Sequence, residues 1–202
     1  MKKIAIFASG NGSNAENIIN YFEKSIEIKV EVILANKSDA YVLERANKHG
    51  IDSIVFSKTD FYDMEVVDKI LEDKGIDYIV LAGFLLLIPS KLIQKFSNRI
   101  INIHPALLPK YGGKGMYGMK VHESVIMNAE KESGITIHIV NEHYDEGKII
   151  FSAKCTINKT DTAVSLAEKI HQLEYKYFPG VIEKWILKGE LSNLQDSLHQ
   201  KT

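Results

Sequence analysis

Asn102 and His104, two positions apart in "NRIINIHPALLPKYGG" (98–113), put a carboxamide and an imidazole at the end of an apolar run. Side chains alternate between the faces of a strand, so these two project to the same side. Pro105 follows directly and has no N–H for a ladder, which stops the strand there. An imidazole both accepts and donates protons near neutral pH. A carboxamide beside it can donate to an oxygen that gains negative charge during a reaction. The alternative is structural: a boundary histidine satisfied by its surroundings, with Asn102 paired to backbone. Both readings stand on the residues alone.

A third group is wanted to hold the imidazole in its working state. "NEHYDEGK" (141–148) offers Asp145 and Glu146, although Asp-Glu-Gly is also ordinary turn chemistry. His138 alternates with Thr136 and Val140, which suits either a packed core residue or a support for the site. His122 falls in the first turns of a helix, and His49 and His199 read as solvated. Cys155 has no paired base in sequence and reads as packing. The glycine-rich "GGKGMYGMK" (112–120) is either a lid or a surface loop. Glu174, among Ile170, Leu173, Tyr177 and Phe178 on a long helical stretch, reads more readily as solvent-facing.

A second motif lies near the start. "ASGNGSNAENII" follows an apolar strand and opens a helix, with Gly10, Gly12 and Ala15 in Gly-x-Gly-x-x-Ala spacing. Glycines let backbone amides approach an anion, and a helix N-terminus adds partial positive charge. Ser13 and Asn14 either add donors to such a site or cap the helix. A dinucleotide site usually has an acid at the end of the second strand. Asn36 stands there instead, which disfavours a nicotinamide dinucleotide and suits a single phosphate equally well.

These residues need a scaffold. The 202 residues are 45% hydrophobic with a formal net charge of −1, enough for a core and without a polybasic surface for nucleic acid. One cysteine fits a reducing compartment, and no apolar run is long enough for a signal peptide or a membrane span, so a cytoplasmic protein is expected. Strands are expected at 4–9, 30–35, 53–57, 78–83 and 99–104, alternating with helices at 13–24, 41–49, 61–74 and near 90–96. That alternation indicates an α/β fold with a doubly wound, Rossmann-like, mostly parallel sheet. Strands at 134–141 and 148–157 extend it as antiparallel edge strands. A long C-terminal helix follows from about 162, capped by Thr160 or Asp161 and kinked or split at Pro179-Gly180. Residues 1–188 are expected to form a single domain and 189–202 a loosely held tail. The sequence assigns no oligomeric state.

In this order, "FASGNGSNAENII", "LANKSDA", "VLAGF", "NIHPALLPKYGG" and the "HYDEG" turn resemble the glycinamide ribonucleotide formyltransferase family, from residue 3 to about 188. The resemblance implies transfer of the formyl group of 10-formyltetrahydrofolate, a co-substrate, to the amine of glycinamide ribonucleotide in purine synthesis. It implies small-molecule substrates only, with no metal, nucleic acid or membrane partner. It matches Asn102, His104 and Asp145 to a catalytic trio, with a protonated His104 and Asn102 donating to the oxyanion of a tetrahedral adduct. Gly12, Ser13 and Asn14 match a phosphate loop, and Glu174 matches the acid that holds the amine. Leu85, Leu86, Leu87 and Ile88, together with Asn102, Asn141, Glu142, His143 and Tyr144, match the walls of the folate pocket. Leu85-Leu86-Leu87 stands where many relatives have Met-Arg-Ile, so an arginine contact to folate is missing. The rival readings are formyltetrahydrofolate hydrolase and a non-catalytic nucleotide-binding module. Both the hydrolase and methionyl-tRNA formyltransferase are expected to need additional domains.

Overall fold

A computed structural model describes residues 1–188. The tail expected at 189–202 and His199 lie outside the described residues. The chain divides into two compact units, Met1–Asn102 and a second beginning at Ile103.

The first unit runs β1 (Lys2–Ala8), α1 (Ser13–Phe22), β2 (Ile28–Ala35), α2 (Val42–Lys48), β3 (Asp52–Val55), α3 (Lys58–Asp63), α4 (Glu65–Asp73), β4 (Tyr78–Leu81), α5 (Ser90–Lys95) and into β5 (Ile100–His104). Its strands pair in parallel: β3 with β2, β2 with β1, β1 with β4 and β4 with β5. Ile4, Ala5, Ile6 and Phe7 are fully buried, so β1 is covered on both faces, as central parallel strands are. Because β1 lies between β2 and β4, the strand order reverses at β1. Ligands of open α/β sheets bind outside the carboxyl ends of the strands at such a reversal. The "ASGNGS" loop leaves the carboxyl end of β1, and "AGFLLLIP" leaves that of β4.

The helix expected at 61–74 is two helices. Met64 adopts φ 67°, which ends α3 and starts α4. The Ser57–Asp60 capping box starts α3 ahead of the expected boundary. Ser13 and Asn14 do not cap α1; Gly12 does, in the left-handed region with no side-chain cap. The tight exit from β1 demands positive φ at that position, which a serine or asparagine adopts less readily.

The second unit carries α6 (Met119–Met127), β6 (Glu132–Ile139), β7 (Ile149–Thr156) and α7 (Ala163–Lys188). β6 and β7 form the expected antiparallel pair, with a register shift between Ile137 and His138 that leaves Ile150 as the extra residue. α7 packs against α6, β6 and β7. It is continuous through Pro179, so the expected split does not occur. The ladder bond that Pro179 cannot make is offset by burial of Phe178, Val181, Ile182, Trp185 and Ile186 around it. Its cap is Thr162 rather than Thr160 or Asp161. The Ser165 N–H donates to Thr162 Oγ1 (3.2 Å), and the Thr162 N–H donates to Ser165 Oγ (3.0 Å). Asp161 instead accepts from the Asn158 N–H at 2.7 Å. The architecture is thus the expected one: a doubly wound, mostly parallel sheet with an antiparallel pair and a long C-terminal helix. No described helix is long and apolar enough to cross a membrane.

Gly12 tests the exit from β1. A Cβ there would lie 2.4 Å from Val42 Cγ2 and 2.8 Å from Val42 Cα, at φ +75°. Gly12→Ala should cost about 1–3 kcal/mol of stability. A urea denaturation midpoint equal to that of the unsubstituted protein would refute the close approach.

Candidate active site

His104 closes β5 and is 3% exposed. Its Nε2 lies 2.7 Å from the carbonyl oxygen of Tyr111. A carbonyl only accepts, so the proton sits on Nε2 and donates to it. That leaves Nδ1 to exchange protons, and Nδ1 lies 3.5 Å from Asp145 Oδ2. Asp145 occupies the turn between β6 and β7 at φ 58°. Its Oδ2 accepts the Gly113 N–H at 2.9 Å, and its Oδ1 lies 3.6 Å from His138 Nε2. His138 is buried, with Nδ1 3.1 Å from the Ile139 carbonyl oxygen. Asp145 is therefore set between two imidazoles and a backbone donor, and His138 is a support for the site.

Local backbone features aim these groups. The bulge in the β6–β7 ladder falls at His138, and bulges re-aim side chains. Gly147 lets the turn close on β6: a Cβ there would lie 1.6 Å from the Ile139 oxygen. Thr136, fully buried on β6, donates to the Ala106 carbonyl (2.7 Å) and accepts the Leu108 N–H (3.0 Å). It thereby fixes the chain just after Pro105. Asn102 is half-buried and alternates with His104 along β5, on the same strand face.

Burial is the largest influence on His104 and pushes it below the ordinary imidazole range, against the pull of Asp145 and the Tyr111 carbonyl. Burial thus favours the neutral imidazole, whereas the resemblance implies a protonated one while the oxyanion is held. Burial also works to raise the Asp145 carboxyl, but the His138 ring, His104 and the Gly113 N–H together hold it below its usual range.

Glu174 does not face solvent; it is 4% exposed on α7, with Oε2 2.8 Å from His171 Nδ1. That hydrogen bond is the main cause raising the His171 imidazole. His122 is buried on α6, as a residue of its first turns. In the turn at 141–144, Asn141 Oδ1 accepts the His143 N–H at 3.0 Å, while Glu142 and His143 are exposed.

In the first unit, Ser9 ties the two strand exits together. Its N–H donates to the Gly83 carbonyl, and its Oγ accepts the Leu85 N–H, each at 3.0 Å. Leu85 is exposed, Leu86 and Leu87 are half-buried, and Ile88 is in the core. Arg45 of α2 braces the glycine loop by donating to the Asn11 carbonyl and to Asn11 Oδ1, each at 2.9 Å. It also pairs with Glu16 of α1. His49 is not solvated: it is half-buried, with Nε2 3.3 Å from Glu16 Oε1.

Tyr111, Gly113, Thr136 and Arg45 were not identified from the sequence. Tyr111 and Gly113 act through backbone atoms, which carry no residue-type signal. Thr136 and Arg45 hold segments distant in sequence, so spacing does not reveal them.

Residues 2–182 match the formyl transferase family. The chain is 41% identical to the chloroplastic phosphoribosylglycinamide formyltransferase of Arabidopsis thaliana, over 90% of this chain and 64% of that protein's length. It is 38% identical to the phosphoribosylglycinamide formyltransferase of Haemophilus influenzae, over 98% of this chain and 92% of that one. Among solved structures, the phosphoribosylglycinamide formyltransferase of Bacillus halodurans superposes with a TM-score of 0.83 at 35% identity. The superposition covers 96% of this chain and all of that one (100%).

The charge balance at His104 has a definite sign. Because the fold holds this imidazole below its unfolded value of about 6.5, its neutral form contributes fully above that pH, and stability falls on acidification below it. Asp145→Asn removes an upward pull, so His104 should titrate lower still in ring-proton NMR. A higher or unchanged value would contradict the pairing.

Proposed function

The chain belongs to the formyl transferase family, and we propose that it transfers the formyl group of 10-formyltetrahydrofolate to the amine of glycinamide ribonucleotide, in purine synthesis. The observation that carries this reading is the buried His104, tied at Nε2 by Tyr111 and facing Asp145 from Nδ1. The names of the bacterial relatives support the choice of substrate. We read residues 1–188 as one formyltransferase domain, supported by a family match that spans 2–182.

Formyl-folate supplies an activated one-carbon unit, and the reaction asks two things of the protein. The attacking amine must lose a proton, and the formyl oxygen must be stabilised as charge develops on it. Neutral His104 has Nδ1 available to take up the proton, and the imidazolium formed is then paired with Asp145. The proton passes to the folate nitrogen as its bond to the formyl carbon breaks and the tetrahedral adduct collapses. Asn102, on the same strand face, donates to the developing oxyanion; losing one such donor typically costs ~100- to 1,000-fold in rate.

The remaining roles follow from family resemblance and fit the local structure. Gly12, Ser13 and Asn14 stand at the start of α1, where backbone N–H groups without a competing side-chain cap would receive a phosphate. Buried Glu174 holds the amine. Partly exposed Leu85, Leu86 and Leu87, with Ile88 anchoring them, offer an apolar wall for the pterin. Asn141, Glu142, His143 and Tyr144 form a turn proposed for folate, with its backbone shaped by the Asn141–His143 hydrogen bond.

His104→Ala should lower kcat by ~100- to 10,000-fold, as loss of a general base does, while leaving the affinity for glycinamide ribonucleotide largely unchanged. Near-normal turnover would remove His104 from the mechanism. Incubation of the unsubstituted protein with both substrates separates the rival readings. Folate breakdown without the ribonucleotide would indicate the hydrolase, and ribonucleotide binding without turnover would indicate a binding module. Removing the substrate's phosphate should weaken binding sharply; equal affinity for both forms would count against Ser13 and Asn14 as the phosphate site.

A further inference from the structure

α6 and α7 pack against each other and bring three ionisable side chains into one neighbourhood. On α7, His171 and Glu174 share a hydrogen bond of 2.8 Å. On α6, His122 is only 3% exposed, and its Nδ1 has no hydrogen-bond partner among the described residues. A buried ring nitrogen without a partner is uncommon, because it has lost water and gained nothing. Burial is the main influence that keeps His122 neutral, and the charges of His171, Glu174 and His104 all reach it.

We propose that His122 Nδ1 is a hydrogen-bond acceptor for the substrate's primary amine, alongside the Glu174 carboxylate, and that His171 is a positioning residue that orients Glu174. The inference rests on the proposed formyl transfer and adds two residues to its amine site. An ammonium carries three N–H donors, and a single carboxylate leaves its direction loosely defined. A neutral imidazole acceptor supplies a second fixed point. A second carboxylate in that place would hold the cation more strongly and oppose the proton loss that attack requires. Neutral His122 directs the amine without adding that opposition. His171 restrains one oxygen of Glu174, so that the carboxylate presents one orientation to the amine.

The test measures binding of glycinamide ribonucleotide and of its amine-free analogue, acetamide ribonucleotide, by calorimetry on the full chain. His122→Leu should weaken glycinamide ribonucleotide by roughly 10- to 100-fold, as expected for a lost hydrogen bond to a charged group, and leave the analogue nearly unchanged. His122→Asn, whose amide oxygen can sit near the Nδ1 position, should recover most of the loss. His171→Leu should reduce the same preference for the amine, and His171→Asn, which keeps a donor near the Nδ1 position, should restore it. Equal losses on both ligands, or no loss, would overturn the proposal. Should His122→Leu fail to fold, His122→Asn compared with His122→Gln makes the same distinction, since glutamine does not present its oxygen at Nδ1; equal amine preference in that pair would also overturn the proposal. If the unsubstituted protein neither binds nor formylates glycinamide ribonucleotide, the proposed function fails. If it formylates normally while the variants keep the amine preference, only this inference fails.

Discussion

The hydrogen bond from His104 Nε2 to the Tyr111 carbonyl decides what the imidazole can do. With that nitrogen committed as a donor, proton exchange is confined to Nδ1, the atom that faces Asp145. The supporting features of the second unit preserve this assignment. Thr136 pins the chain after Pro105, the bulge at His138 and the tight turn at Gly147 aim Asp145, and Gly113 holds one carboxylate oxygen. A different tautomer would turn the lone pair toward a carbonyl oxygen and make the pairing repulsive.

The first unit uses backbone rather than ionisable groups. Reversal of strand order at β1 leaves the exits of β1 and β4 without an intervening strand, and Ser9 joins them through two hydrogen bonds. Phe84 follows β4 and is held in the core against Phe7 and Phe61, with ring centroids 5.3 Å away in each case. It anchors the leucines that come after it. Arg45 and Glu16 brace the glycine loop from α2 and α1. A ligand held there would meet amide groups and apolar side chains already fixed by the core, which lowers the ordering cost of binding.

Much of this architecture was legible in the sequence, because parallel strands buried on both faces are written as apolar runs. Asn102 and His104 stood out because a strand's period of two makes face-sharing visible. Errors fell where local alternatives are nearly equal in energy. The break at Met64 depends on one left-handed residue, and continuity of α7 through Pro179 depends on tertiary burial that outweighs one lost hydrogen bond. Glu174 reads as solvated because a carboxylate on a helix usually is, and only the tertiary packing of α7 makes it a buried one. The backbone partners of His104 and Asp145 carried no signal at all, since any residue type supplies a carbonyl or an N–H.

The three imidazoles that feel the charge of Glu174 show how one unit biases protonation in different directions. His104 and His122 are buried, and burial disfavours their charged forms. His171 is half-exposed and bonded to the carboxylate, so its charged form is favoured. If all three were charged, their mutual repulsion would act in a medium with little water to screen it. If all three were neutral, a charged Glu174 would lose the compensation that a charged His171 gives it. A bias in which only His171 is favoured in its charged form avoids both extremes. In the proposed amine site, that bias would let a cation be drawn in and oriented while a base stays unprotonated.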